Sequence, residues 1–341
     1  MDNNKIDFVV TWVDGNDPEW LKEKNYYKNG GKYESTSTSD NRFKDWGLFK
    51  YWFRGVEKFA PWVNKIYLIT WGHLPEWLNI DNPKLVIINH KDYIPEKYLP
   101  TFNSNVIEMN IHRIKGLSEN FVLFNDDFYL ISKTKQTDFF KNNIPCDTVG
   151  LNVHCPSRSL VIQSICNNDV AIINEHFNFK STMKKNLIKF LNPKNGISNI
   201  FKTLVLIKCP RYPGFWQPHG PLSYNKHYFK DMWKLEENEM DNTSKNRFRK
   251  NNEINHWLVR EWQIVTGNFE VRSHKFCKVY HLNEIGIDKK CKSIISDIKN
   301  QKEKCIVIND SSKTDQKYND YLPEIIETFE SILPEKSSFE K

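Results

Sequence analysis

Two short apolar runs, each closed by carboxylates, constrain this chain more than any other feature. Residues 6–13, IDFVVTWV, stop at Asp14-Gly15-Asn16-Asp17-Pro18, and residues 120–124, NFVLF, stop at Asn125-Asp126-Asp127. Short β-rich apolar runs of this kind, bounded by turn chemistry, read as buried strands. Further strands are expected at Lys65–Thr70 and Lys84–Asn89. Helices are expected from about Asp45 to Phe59, ended by Pro61, and over Ser104–Ile114, where Ile107, Ile111 and Ile114 recur at helical spacing. Strands alternating with helices specify an α/β domain with a largely parallel sheet. Ligands of such sheets lie outside the carboxyl ends of the strands. The two acidic clusters are therefore expected at one site, although more than 100 residues separate them.

The chain has 341 residues, 39% of them hydrophobic and 14% aromatic, enough for a sizeable core and against disorder. MDNNKIDFVV has neither a basic n-region nor a long apolar run, so a cleaved signal peptide is not expected. No apolar run reaches the roughly 20 residues that cross a bilayer. The seven cysteines are scattered without a C-x-x-C pair, which disfavours a disulfide scaffold or a zinc ribbon and leaves reduced thiols as the expectation. A net charge of +7 traces to one window. Residues 176–230 hold ten Lys and Arg and no Asp or Glu. Such a window serves nucleic acid, an anionic membrane or a phosphorylated substrate. Its amphipathic, lysine-rich stretches, Met183–Leu191 and Ile197–Ile207, suit a membrane surface. Phe177, Phe179, Phe190 and Phe201 interleave with the lysines near helical spacing, a core or membrane pattern more than a base-stacking one.

Adjacent Asp126 and Asp127 after a strand read as a divalent-cation pair or, the commoner case for such a dipeptide, as a solvated turn. Glu108 on the preceding helix is either a third carboxylate or an exposed helix residue. His219 stands between Pro218 and Pro221 in GFWQPHGPLSYNK, placed for acid/base work or phosphate contact, or else structural. Arg247 and Arg249 precede a helix over Asn252–Thr266, where cations are disfavoured unless a ligand faces them. P-loop, dinucleotide, nucleophile-elbow and zincin motifs are absent from the sequence.

In order, IDFVVTWVDGNDPEW, RFKDWGLFKYWFRGVEKFAPWVNKIYLIT and LPTFNSNVIEMNIHRIKGLSENFVLFNDDF resemble the first two conserved blocks of the Stealth family. QPHGPLSYNK through RFRKNNEINHWLVREWQIVTG resembles the third, and KCIVINDSS at 304–312 the fourth. That family includes bacterial capsular polysaccharide phosphotransferases and the catalytic part of the animal N-acetylglucosamine-1-phosphotransferase. The resemblance implies a nucleotide-sugar transferase-like core, Rossmann-like and GT-A-like, here with a helical, basic second lobe. The expected division is 1–135 for the donor-binding part, 136–320 for the acceptor side and 321–341 for a C-terminal helix and tail. It implies transfer of a sugar 1-phosphate from a nucleotide-diphosphate sugar, UDP-linked, to a hydroxyl of an acceptor glycan. The expected setting is cytoplasmic, at the inner face of the plasma membrane, with a lipid-linked acceptor and no nucleic acid partner.

By the same resemblance Asp14, Gly15, Arg42, Arg54, Asn103 and Asn125 border the donor. Asp126, Asp127 and Asp310 hold Mg²⁺ or Mn²⁺, and Arg249 with Arg54 neutralises developing charge. His219 is the expected general base; Glu108 is its rival or a metal ligand. Two other readings remain open at this point. One is a metal-dependent glycosyltransferase that attacks the anomeric carbon and releases a nucleoside diphosphate; the other is a non-catalytic polyanion-binding module.

Overall fold

The structure is a computed structural model that describes residues 5–30, 46–156, 161–282, 286–309 and 315–341. Its central sheet runs in the order β3 (Leu85–Asn89), β2 (Ile66–Thr70), β1 (Ile6–Thr11), β4 (Asn120–Asn125) and β8 (Leu222–Asn225). The first four strands are parallel and β8 is antiparallel to β4. The 3-2-1-4 order is that of a Rossmann-like half-sheet. Along β1, Ile6, Phe8 and Val10 enter a core with Trp52, Phe124 and Phe139, while Val9 enters a second core with Phe121, Tyr224 and Phe229. Burial on both faces is why the strand reads as a continuous apolar run. Each such side chain contributes about 1.5–3 kcal/mol relative to exposure.

A second sheet, β10 (Cys277–His281), β11 (Cys305–Asn309) and β5 (Phe128–Leu130), abuts the first core, because β5 follows β4 after a two-residue turn. A small third sheet joins β6 (Phe140–Lys141), β7 (Ile144–Asp147) and β9 (Glu270–Val271). Helix α1 (Pro18–Lys28) is N-capped by Asp17, α2 (Phe49–Phe59) covers the first core, and α3 (Ser104–Met109) leads towards β4. Gly55 of α2 lies so near β5 that a Cβ there would stand 2.7 Å from the carbonyl oxygen of Leu130. The helix expected to run on to Ile114 ends at Met109. The buried Asn110 side chain turns back to the Val106 carbonyl, 2.9 Å away, and Ile111–Arg113 continue as a 3₁₀ turn.

The second lobe is helical: α4 (Val161–His176), α5 (Phe179–Phe190), α6 (Ile197–Leu206), α7 (Lys226–Leu235), α8 (Glu237–Ser244) and α9 (His256–Val265). Helices α10 (Ile287–Lys299) and α11 (Asp315–Ile332) flank the second sheet. The mixed α/β architecture and helical lobe agree with the sequence reading. The expected divisions at 135 and 320 do not mark separate cores: β8 completes the first sheet, β11 pairs with β5, and α11 packs into the same core as α2. All seven cysteines carry free thiols.

Arg54 corrects an expectation. It is 6% exposed, and its guanidinium forks onto both oxygens of Glu340 at 2.8 and 2.9 Å. It also donates to Glu330 and to the Leu333 carbonyl, each at 3.0 Å. It latches the C-terminal segment to α2 rather than meeting a donor, because its fork is spent on partners nearly 300 residues away. Burial alone would raise the Glu340 carboxyl, but the Arg54 fork and Ser337 outweigh it and hold the carboxyl below its ordinary range. The latch therefore stabilises the fold above about pH 4.3 and is lost as acid protonates Glu340. Arg54→Ala, which strands a buried carboxylate, is expected to cost about 3–5 kcal/mol in urea melts at pH 7. Glu340→Gln is expected to flatten the stability loss between about pH 5 and 3; equal slopes in the two proteins would dismiss the latch.

Candidate active site

The carboxyl edge of the central sheet gathers the chemistry. Thr11 of β1 is in register with Asn125 of β4, so Asp14 and Asp126-Asp127 leave the sheet at the same edge. Because β8 runs antiparallel, pairing Leu222 with Leu123, its entry segment Pro218–Pro221 arrives there too. Phe128 meets His219 edge-to-face with ring centroids 5.3 Å apart. On β11 the Ile308 N–H donates to the Asp127 carbonyl at 3.1 Å. Next to it, Asn309 Nδ2 stands 3.3 Å from His219 Nδ1. His219, the acidic turn and the end of β11 thus form one cluster assembled from segments about 90 residues apart. Burial, and then the neighbouring His281, push the His219 imidazole down to about 4, so at neutral pH it holds a lone pair ready for a proton.

A second group lies alongside. Glu108 of α3 is 6% exposed, and burial lifts its carboxyl to about 7 against the opposing charge of Arg249. His256, at the first turn of α9, places Nε2 3.5 Å from Glu108 and Nδ1 2.7 Å from the Tyr224 hydroxyl of β8. Burial, then the charges of Arg260 and Arg249, depress His256 to about 3, and His219 lies close enough to add to the effect. Arg249 is exposed and donates to Ser104 Oγ at 2.5 Å. Its segment is held by a buried frame: Asn103 and Asn105 donate to the two oxygens of Glu253 at 2.9 and 2.7 Å, and Phe102 stacks on Phe248. Asn103, expected at the donor, also caps α3 and donates to the Asn246 carbonyl. Its side chain is used in positioning the Arg249 loop, and it is 1% exposed.

Asp14 is set by a residue that sequence reasoning missed. Its N–H donates to His73 Nε2 at 2.7 Å, and burial lowers the His73 pKa. Gly15 is buried beside it. His256 was equally missed, although it opens the helix whose entry was singled out; Arg260, one turn on, grips Asp147 at 2.6 Å and donates to the Trp216 carbonyl and Gln217, steadying the chain that enters at His219. Arg42 and Asp310 lie outside the described residues.

Comparison with known proteins decides the family. Residues 4–32 match Stealth protein CR1, conserved region 1, and residues 42–147 match Stealth protein CR2, conserved region 2. A capsular polysaccharide phosphotransferase WcwK from Streptococcus pneumoniae is 44% identical over 99% of this chain and 98% of its own length. The chain belongs to the Stealth family. The exopolysaccharide phosphotransferase cps2G of Lactiplantibacillus plantarum is 40% identical over 98% of this chain and 96% of its own. A solved galactosyltransferase LgtC is a distant structural likeness: 8% identity and TM-score 0.41 over 97% and 98% of the two chains.

Within this Stealth protein, conserved region 2 carries Glu108 and the acidic turn, while His219 and Arg249 come to them from beyond it. Among the described residues, no three His, Cys, Asp or Glu side chains converge as a metal cage. Asp126 and Asp127 offer two half-buried carboxylates. That suits a hard cation such as Mg²⁺, which keeps waters and substrate phosphates in its shell rather than needing an all-protein cage. The raised Glu108 carboxyl predicts a titration near pH 7 in the free enzyme. With Glu108 acting as the anion, kcat/KM is expected to rise with pH through that value. The limb should vanish in Glu108→Gln and shift in His256→Gln; an unchanged limb in Glu108→Gln would assign it elsewhere.

Proposed function

We propose that this chain transfers a sugar 1-phosphate from a UDP-linked sugar to a hydroxyl of an acceptor glycan in surface polysaccharide synthesis. The observation that carries the reading is the meeting of His219, the Asp126-Asp127 turn and Asn309 at the carboxyl edge, with Arg249 exposed beside the neighbouring Glu108–His256 group. Family membership supports the reaction class. The acceptor oxygen bonds to the phosphorus that bears the sugar. The bond from that phosphorus to the bridging oxygen breaks, releasing a nucleoside monophosphate and leaving a phosphodiester. His219 Nδ1 or Nε2 takes the hydroxyl proton. An imidazole depressed in the free protein rises when an anionic diphosphate arrives, since nearby negative charge favours the imidazolium, which brings it towards working pH.

Arg249 faces the leaving phosphate, where a guanidinium stabilises charge that develops only in transfer. Glu108, His256 and Tyr224 form a buried rank of polar side chains behind it, which fixes the acceptor side of the cleft. Asp126 and Asp127, with Asp310, would hold Mg²⁺ or Mn²⁺, which neutralises diphosphate charge when bound. Asp14 and Gly15 border the nucleotide, and Asn125 lines the same edge. No helix among the described residues is long and apolar enough to cross a membrane. The reading places the protein in the cytoplasm, at the inner face of the plasma membrane, where a lipid-linked glycan is presented.

Incubation with UDP-sugars, Mg²⁺ and a short acceptor glycan should release UMP. UDP as the stoichiometric product would instead establish a glycosyltransferase. Asp127→Ala, His219→Ala and Arg249→Ala are each expected to lower turnover by a factor on the order of 10³, with thermal melts near wild type. Retained turnover in all three would refute the assignment.

A further inference from the structure

Helix α6 is built inside out. Its buried residues are polar: Thr203 Oγ1 accepts the Leu151 N–H at 3.1 Å, and Asn199 donates to the Asn195 carbonyl at 3.1 Å. Four of its six exposed residues are apolar, with Ile197 87%, Phe201 66%, Val205 55% and Leu204 49% exposed, beside Ser198 and Lys202. These four recur at i, i+4, i+7 and i+8, one continuous stripe. Val153, 50% exposed, extends it, and a recess of about 260 Å³ opens between Val153, Phe201 and Val205. Ile188 on α5 is 86% exposed as well. A helix facing water carries the opposite arrangement, and an apolar patch of this kind marks an interaction surface.

We propose that this face docks on an anionic lipid bilayer, with the α6 stripe entering the headgroup boundary. The charge around it selects the occupant. Lys184, Lys185, Lys194, Lys202, Lys208 and Arg211 are exposed on α5, α6 and their flanks, in a window without a single acidic residue. A second copy of this chain seated there would set lysine against lysine, whereas anionic headgroups neutralise the rim while the stripe leaves water. Lys189 is not part of the rim, because it donates to the Gly267 and Phe269 carbonyls at 3.0 and 2.6 Å. The position is apt for the acceptor. Beneath α6, Leu151 pairs in an isolated antiparallel bridge with Phe215, four residues before His219. Docking therefore brings the His219 loop to the surface that presents a lipid-linked glycan. This rests on the proposed transfer reaction for the acceptor alone, and vesicle binding is read without turnover.

The test is co-sedimentation of the full chain with vesicles of equal parts phosphatidylglycerol and phosphatidylcholine, and with pure phosphatidylcholine. Wild type is expected on the anionic vesicles only, released by salt. Phe201→Ser with Leu204→Ser and Val205→Ser, and separately Lys184→Glu with Lys202→Glu, are each expected to weaken binding about tenfold or more. Both variants should keep their thermal melts and UMP release on a soluble acceptor. Absent binding by wild type, equal binding to pure phosphatidylcholine, or variants that bind as wild type would overturn the proposal. So would a wild-type dimer that the serine variant converts to monomer, which would assign the face to a second copy. Failure of wild type to release UMP would count against the transfer reaction while leaving the vesicle result standing.

Discussion

Antiparallel pairing of β8 with β4 is the constraint on which the site depends. A parallel fifth strand would have delivered its preceding loop to the amino edge of the sheet, away from the acidic turn. The reversed strand instead delivers Pro218–Pro221 to the carboxyl edge, where β1 and β4 already end in carboxylates. The same strand supplies Tyr224, whose hydroxyl reaches His256 and through it Glu108. Four residues of β8 thus join the His219 cluster to the Glu108 cluster. The rigidity of that join rests on backbone ladder bonds and on the Asn225–Asn120 side-chain pair at 2.7 Å.

The electrostatics of the edge follow from burial more than from charge pairing. His219, His256 and His73 are all held below the ordinary imidazole range chiefly by desolvation, and Glu108 is raised for the same reason. Groups set in this way respond strongly to an arriving anion, because little internal charge is in place to buffer them. Exposed Arg249 opposes burial at Glu108 and Glu253, favouring their anions, and adds to burial at His256, disfavouring its cation.

Much of the first half was legible in the sequence because strands buried on both faces leave continuous apolar runs, and β1 and β4 announce themselves with their acidic ends. The second half was less so. The strand β8 has four residues and β9 two, too short to show a period. Arg54 and Asn103 were misplaced for one physical reason: an arginine or asparagine side chain reads the same whether it meets a substrate or a carboxylate of its own fold. Glu340 and Glu253, which claim them, are remote in the chain. His256 escaped notice because its partners, Tyr224 and Glu108, meet it only after β8 has folded back. The amphipathic character of Ile197–Ile207 was visible; which side faced inward was not, since Thr203 is buried through a bond from the Leu151 N–H, 52 residues away, that only the tertiary fold supplies.

The Arg54 latch also bears on the order in which the molecule comes into being. A ribosome delivers α2 long before the segment around Glu330–Glu340 that receives its arginine, and β1 long before β8. During that interval the nascent chain carries a buried-type cation without its acids and a parallel sheet with one open edge. Domains of local connectivity fold as they emerge, but one fastened by a segment made nearly 300 residues later must wait, exposing apolar strands meanwhile. The topology thus defers closure of the first core until the segment around Glu330–Glu340 has been made.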